Sequence, residues 1–492
     1  MTEQQTAYDF ASWARAYSQR TNRSLAGARF TPPKDADSGF AAQASQWGMV
    51  PDDDAPGLPA NHGGQTSYTE FPGITDPRSI PDARELTGLE AMEHAHRHMP
   101  VLRELMRRII ADGVDFTGVR IAVCLILEPK TAVLLRELKA AGAIVGVFAE
   151  PSDTDQRVAD QLAAEGVIVE ADVAWTAEQT HRGALRLLDE IRPQIIIDDG
   201  ASFARLAATE RPELMADLIG VAEETTSGVR AFQAMQDAGA LDFPVIAVND
   251  SILKTGFDNA HGTGESCVTT MQELLGSHAF DGARVAVVGY GPVGKGFALR
   301  VRALGARVTV CDTDPVAALQ AVFDGFAAHD IDEALEYADM VVSATGVRHT
   351  ITVEHMRRMR DGTVLAVIGG IANEIALDRI PGFRPRTGLD RCELAVPDGP
   401  TLTLLAQGDG VNYTAGGGNP IEIMDLSFAV QASAVAHLLT HRGTLAPGLH
   451  RLDKATDRRI AAAALETRGY RTSHAVDDNG YDWTLTRFKE AR

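Results

Sequence analysis

The stretch NDSILKTGFDNAHGTGES, residues 249–266, packs Asp250, Lys254, Asp258, Asn259 and Glu265 into one short run. A lysine beside other charges and partly withdrawn from water can have a pKa low enough to act as a base. Taken alone, Lys254 and Asp258 read better as a solvated charged loop. The residues that follow give the run a context. An apolar segment, RVAVVG, leads into Gly289-Tyr-Gly291-Pro292-Val293-Gly294 and then a helical pattern, the strand–turn–helix setting a GxGxxG loop requires. Gly289 permits the tight turn, Gly291 the approach of a pyrophosphate, and Gly294 close helix–strand packing. The helix start supplies free N–H groups and the positive end of a dipole to the phosphates. The next apolar run ends in Asp312, about twenty residues on, where an acid binds the ribose diol and disfavours a 2′-phosphate. NAD is therefore expected, with Pro292 removing one backbone donor from the cradle. The ionisable run is expected to bind the molecule that the cofactor oxidises.

The elements needed to position these groups are legible along the chain. From residue 86, apolar runs such as VRIAVCLIL, IVGVFA, VIVEAD, QIIIDDG and FPVIAVND alternate with helical patterns and short Gly/Pro breaks. Runs of that kind are strands of a parallel sheet buried on both faces. The fold class is α/β: two doubly wound, Rossmann-like domains, with an N-terminal arm and a helical C-terminal tail. The expected layout is an arm over 1–85, a substrate domain over 86–262 completed by about 418–450, an NAD domain over 263–417 and a tail over 451–492. In the arm a helix over Tyr8–Gln19 precedes a long irregular segment rich in Pro, Gly, Ser and Asp, either partly disordered or wrapped on the body.

Composition narrows the partners. The 492 residues carry a net charge of −21, which repels nucleic acid and acidic membrane surfaces, so neither is expected as a partner. No apolar leader opens the chain, and no uninterrupted apolar run has the length of a membrane span. A cytoplasmic protein is expected. Cys124, Cys267, Cys311 and Cys392 form no CxxC pair and read as buried, reduced thiols. No metal site is expected.

Several motifs in the same order and at similar spacing carry a family resemblance: EETTSGVRAF from Glu223, NDSILKTGFDNAHGTGES, GYGPVGKG, SATGVRHTITVEHMRRMRDGTVLAVIGG and LLAQGDGVNYTAGGGNP. Together they resemble S-adenosylhomocysteine hydrolase over roughly residues 99–438. The resemblance implies a tightly held NAD⁺ that oxidises the ribose 3′-hydroxyl. The C4′ proton is thereby acidified, the C5′ substituent is eliminated, water adds and the ketone is reduced again. It implies that Lys254 and Asp258 hold and deprotonate the 3′-oxygen, with Asn259 positioning the lysine and the nicotinamide. Glu224 would grip the ribose hydroxyls and Asp199 would lie near C4′. Thr225, Thr226, Ser227 and Asn412 would contact the cofactor, as would Thr345. It also implies a homo-oligomer, a tetramer or a dimer.

The other end of the implied site departs from the family pattern. The family's CLHMTVETAV is CLILEPKTAV here, so its acid–base histidine is Ile126 and its substrate-reading pair is Glu128 and Lys130. Two further family histidines are Gly370 and Asn419, and a cysteine is Thr263. Glu128, Lys130 and Asn419 are the candidates for contacting this part of the substrate, and His261 or His349 the candidates for replacing a lost acid. The retained half oxidises and deprotonates; the altered half handles the leaving group and the water. The expected function is a nucleoside dehydratase or lyase that eliminates water and leaves an exocyclic alkene, as in nucleoside antibiotic biosynthesis. A true adenosylhomocysteine hydrolase is the alternative, and a catalytically dead NAD-bound regulatory homologue the second alternative.

Overall fold

The computed structural model describes residues 9–33, 36–51, 82–371, 373–385 and 389–473. Much of the N-terminal arm and the polar end of the tail lie outside the described residues. The described part of the arm is regular. Helix α1 (Phe10–Thr21) and helix α2 (Phe40–Gln46) flank a short parallel pair, β1 (Arg29–Phe30) and β2 (Val50–Pro51). The expectation of an irregular segment missed an aromatic cluster. The rings of Phe40 and Trp47 pack edge-on against Phe10, 5.4 and 5.3 Å between centroids, and Trp13 stacks on Tyr17. These residues belong to the core that contains Val268, Met271 and Phe297, so the arm is fused to the body.

The first domain holds β3 (Arg120–Cys124), β4 (Ile144–Phe148), β5 (Ile168–Glu170), β6 (Ile195–Asp198), β7 (Gly220–Glu223) and β8 (Pro244–Ala247). The second holds β9 (Arg284–Val288), β10 (Arg307–Cys311), β11 (Ala327–Ala328), β12 (Met340–Ser343), β13 (Val364–Val367), β14 (Arg391–Ala395) and β15 (Thr401–Leu405). The chain then returns, and β16 (Gly448–His450) joins the first sheet beside β8. The sheet orders are 16-8-7-6-3-4-5 and 11-10-9-12-13-15-14. Every pairing is parallel except β14 with β15. This is the doubly wound α/β architecture expected. Strand β7, with a glycine and a glutamate in four residues, carried too little apolar signal to announce itself.

Five helices position the site: α3 (Pro100–Ala111), α4 (Thr226–Asp237), α5 (Gly264–Leu275), α6 (Pro292–Ala303) and α7 (Ile421–Thr440). Helix α7 is apolar on all sides because it runs through the first domain's core; 83 % of its apolar window is buried. Two of its buried polar atoms, Ser427 Oγ and Gln431 Oε1, have no hydrogen-bond partner, whereas its buried carboxylate Asp425 is satisfied. Asp425 accepts Val101 N and Leu102 N at 2.9 and 2.8 Å, satisfying orphan donors at the start of α3. Of the four thiols, Cys267 and Cys311 are buried but Cys124 and Cys392 are only half-buried, and none is in a disulfide.

Candidate active site

In the first sheet the strand order reverses between β3 and β6, in the second between β9 and β12. Ligand crevices in open α/β sheets form outside the carboxyl ends at such points. Both points open on one cleft of about 640 Å³. One wall carries Ile126 and Asp199; the opposite wall carries Gly291, Pro292, Val293 and Thr345. Lys254, Asn259 and the head of α4, Thr225 to Ser227, complete it.

Lys254 and Asp258 lie on the connection between the domains. Thr255–Thr263 is a π-helical turn between a short α-helical segment, Ile252–Lys254, and α5. Such turns are rare and concentrate at functional sites. Lys254 Nζ lies 2.8 Å from Asp258 Oδ2 and donates to Asn259 Oδ1 at 3.0 Å. Both partners of the ion pair are buried. Burial pulls the Lys254 pKa down, but the Asp258 and Glu224 carboxylates together outweigh it and hold it above the ordinary lysine value. The expectation of a lowered lysine does not hold in this arrangement: Lys254 is an ammonium and a hydrogen-bond donor.

The doubled acids DD and EE divide their work. Asp198 accepts Phe203 N and Ala204 N, and Glu223 accepts Gly200 N, Ala201 N and Thr225 N, so the first of each pair builds the turns. Of the second acids, Asp199 lines the cleft and Glu224 stands beside Lys254. Burial raises the Asp199 pKa, with Lys254 opposing. Burial pushes Glu224 up to about 8, again opposed by Lys254. Gln431 of α7 donates to one Glu224 oxygen, while Oε1 is buried with no hydrogen-bond partner. An orphaned acceptor beside an ammonium is the pair that a sugar hydroxyl satisfies.

Behind this pair the structure places Asn419, whose amide donates to Asp258 Oδ1 and to Thr263 Oγ1 at 3.1 Å. Its oxygen accepts from Asn412 Nδ2 at 2.8 Å and from Ser266 Oγ at 3.1 Å. Asn419 and Asn412 are thus buried supports of Asp258, not cleft-lining contacts. Glu128 and Lys130 line a second cavity adjoining the cleft. Lys130 is only 2 % exposed, and its ammonium meets Glu128 Oε2 at 2.7 Å, Asn22 Oδ1 at 2.8 Å and Gly417 O at 2.9 Å. Its three donors are spent inside the protein, one of them on the arm. Neither candidate histidine reaches the cleft. Burial and the Arg300 charge lower His261 to about 4, and Arg300 lies 3.2 Å from its Nδ1. His349 pairs with Asp378 at 2.7 Å.

The glycine loop fits a dinucleotide. Gly289 has φ +96°, and a Cβ there would meet Ala344 at 3.0 Å; a Cβ on Gly294 would lie 2.0 Å from Gly289 O. Nothing lies within 4 Å of a Cβ built on Gly291, which faces the cleft. Pro292 is the first residue of α6, where the lost N–H has no intrahelical partner anyway. The Thr225 hydroxyl is spent locally, accepting Gly200 N and Gly228 N, and Thr226 bonds Asn249 at 3.0 Å. Asp312 accepts Tyr290 N at 2.6 Å and Asp314 N at 2.8 Å, tying the loop to the end of β10. A carboxylate has lone pairs to spare for a diol beyond these two bonds.

Sequence reasoning missed Gln431, Tyr413 and Asp153. Gln431 could have been found as a polar residue inside an apolar helix; the other two, which line the cleft, carry no local signal.

Comparison with known proteins follows the same lines. Residues 82–213 match the family described as "S-adenosyl-L-homocysteine hydrolase", and residues 259–418 its "NAD binding domain". An S-inosyl-L-homocysteine hydrolase of Methanopyrus kandleri is 40% identical over 402 residues, covering 80% of this chain and 93% of its own. An adenosylhomocysteinase of Thermococcus kodakarensis shows the same identity and coverage. One of Thermotoga maritima is 37% identical over 403 residues, covering 80% and 97%. The chain belongs to the S-adenosyl-L-homocysteine hydrolase family and is an enzyme that uses NAD.

Proposed function

We propose that the protein performs a redox-assisted elimination on the sugar of a nucleoside, with the thiol of a nucleosidyl-homocysteine as leaving group. The observation that carries the reading is the Lys254–Asp258–Asn259 cluster with the orphaned Glu224 oxygen beside it, Lys254 and Asn259 lining the cleft that also holds the glycine loop. Bound NAD supplies reversible oxidation of a sugar hydroxyl, which acidifies the neighbouring C–H. The Lys254 ammonium donates to the sugar oxygen and Glu224 accepts from the adjacent hydroxyl. Asp258, held by Asn419, keeps the lysine in place. Asp199, raised by burial, is the carboxylate at hand for the C4′ proton. The thiol as leaving group is supported by the relatives, named adenosylhomocysteinase and S-inosyl-L-homocysteine hydrolase.

A second reading is favoured by one observation: among the described residues no histidine lines the cleft, where Ile126 and Gly370 stand in place of family histidines. Under it water leaves from a nucleoside, is not replaced, and the product keeps an exocyclic alkene. Mass spectrometry of the NAD-loaded protein with S-adenosylhomocysteine, S-inosylhomocysteine and free nucleosides, a ketohexose nucleoside among them, separates the two. Free homocysteine is the result expected. A nucleoside lighter by one water, with both thioethers untouched, replaces the first reading by the second. No turnover of any of them overturns both.

A further inference from the structure

We propose that Asp153 exchanges the proton at the leaving-group end of the cleft, from the site next to Ile126 where the family's imidazole is missing; this rests on the elimination reading above. The geometry is specific. Asp153 ends a short 3₁₀ turn after β4, and its carbonyl accepts Leu127 N at 2.8 Å, while Asp155 N donates back to Leu127 O at 2.8 Å. Leu127 and Thr154 form a parallel bridge, so the loop that carries Ile126 and the loop that carries Asp153 are laced together. Ile126 and Asp153 both line the cofactor cleft and both line the adjoining cavity with Glu128 and Lys130. With Ser152 and Tyr413 they are the lining that the two spaces share. Isoleucine cannot move a proton; the carboxyl one backbone bridge away can.

The charges around Asp153 suit a group that cycles between acid and base. Burial and then the Asp199, Glu150 and Asp409 carboxylates push it up to about 7. Lys254 and Arg230 also line the cleft, Lys254 pairing with Asp258. On the cavity side the cations are engaged, Lys130 with Glu128 and Arg157 with Asp155. A carboxyl poised near neutrality is matched to proton transfer in either direction. As the C4′ proton leaves, the C5′–X bond breaks and its electron pair departs with X. The Asp153 carboxylic acid protonates X and becomes a carboxylate. In the addition the carboxylate takes a proton from water as the water oxygen bonds to C5′, the C4′=C5′ π bond breaks, and its electron pair takes back at C4′ the proton held by Asp199.

The test uses the full-length NAD-loaded enzyme with S-adenosylhomocysteine and S-inosylhomocysteine as probes. Asp153→Asn is expected to lower turnover by about 10²–10⁴-fold and to remove the near-neutral limb of the kcat/KM pH profile. The near-ultraviolet absorbance of bound reduced cofactor should still rise on mixing with the probe, which also shows that the variant is folded. Asp153→Glu is expected to restore part of the rate. Wild-type turnover in Asp153→Asn, or an unchanged pH profile, overturns the proposal. Loss of the absorbance rise in this variant alone also overturns it, because Asp153 would then act at the oxidation end. If the wild-type protein itself gives no absorbance rise with any nucleoside, the elimination reading fails, and the role of Asp153 falls with it.

Discussion

In the proposed reaction Lys254 is the residue on which the chemistry turns, and its surroundings make it a charged donor. Replacing it with methionine removes the donor to the sugar oxygen and leaves Asp258 buried without its cation. Turnover should fall by about 10²–10⁴-fold while NAD stays bound, read by single-turnover kinetics and by the cofactor released on denaturation. Glu224 makes a separate, pH-dependent prediction. Its folded pKa of about 8 lies above that of an exposed glutamate, so the folded state holds a proton that the unfolded chain has lost. The resulting cost is absent below the unfolded value, grows as pH rises and is complete above about 8. Glu224→Gln, which removes the titration, should therefore gain Tm relative to wild type as pH is raised from 5 to 9. A constant difference across that range would show that Glu224 does not carry the shift.

At the scale of elements, the site depends on two close contacts that few residue types permit. The π turn that carries Asp258 and helix α6 touch through Gly296, where a Cβ would lie 1.9 Å from Ala260 O. Because the obstacle is backbone, no side chain can swing aside. Gly296→Ala should cost about 1–3 kcal/mol in stability and weaken NAD binding, since α6 carries the glycine loop. The second contact is the arm. Asn22, at the end of α1, donates to Gly417 O at 2.7 Å and accepts from Lys130. The N–H groups of Leu25 and Ala26 end on the buried Glu265 carboxylate at 2.7 and 3.2 Å. Asn22→Gly keeps the left-handed backbone available but leaves the Lys130 ammonium one acceptor short. A loss of about 1–3 kcal/mol is expected in denaturant unfolding. Phe10→Ala should cost about 3–5 kcal/mol, because Phe10 is fully buried between Phe40 and Trp47.

For the whole molecule, the two domains meet at the ligand cleft, so ligand binding and stability are linked. NAD at 100 times its Kd should add about 2.7 kcal/mol, seen as a Tm that rises with NAD concentration. Gly291→Ala, whose Cβ meets no protein atom but faces the cleft, should lose this rise while keeping the Tm of the protein without added NAD.

Local pattern was sufficient for the parts of this protein that are local. Apolar runs with short breaks announced most strands of both sheets, because a strand buried on both faces needs an apolar side chain at every position. GxGxxG followed by Asp312 announced the cofactor loop, because each glycine answers a backbone demand within a few residues. Lys254 and Asp258 by themselves read as a solvated loop; the family resemblance marked them, and the structure joins them as an ion pair on one turn. Tertiary structure alone decided which charges are free to act. Lys130 and Asn419, read as substrate contacts, have donors taken up by Asn22 and Asp258, far away in sequence. His261, read as a spare acid, is silenced by burial and by Arg300, and Asp153, which no motif marks, is brought beside Ile126 by one bridge. Burial and neighbouring charge set a group's protonation, and both depend on packing between distant segments, which composition and spacing do not encode.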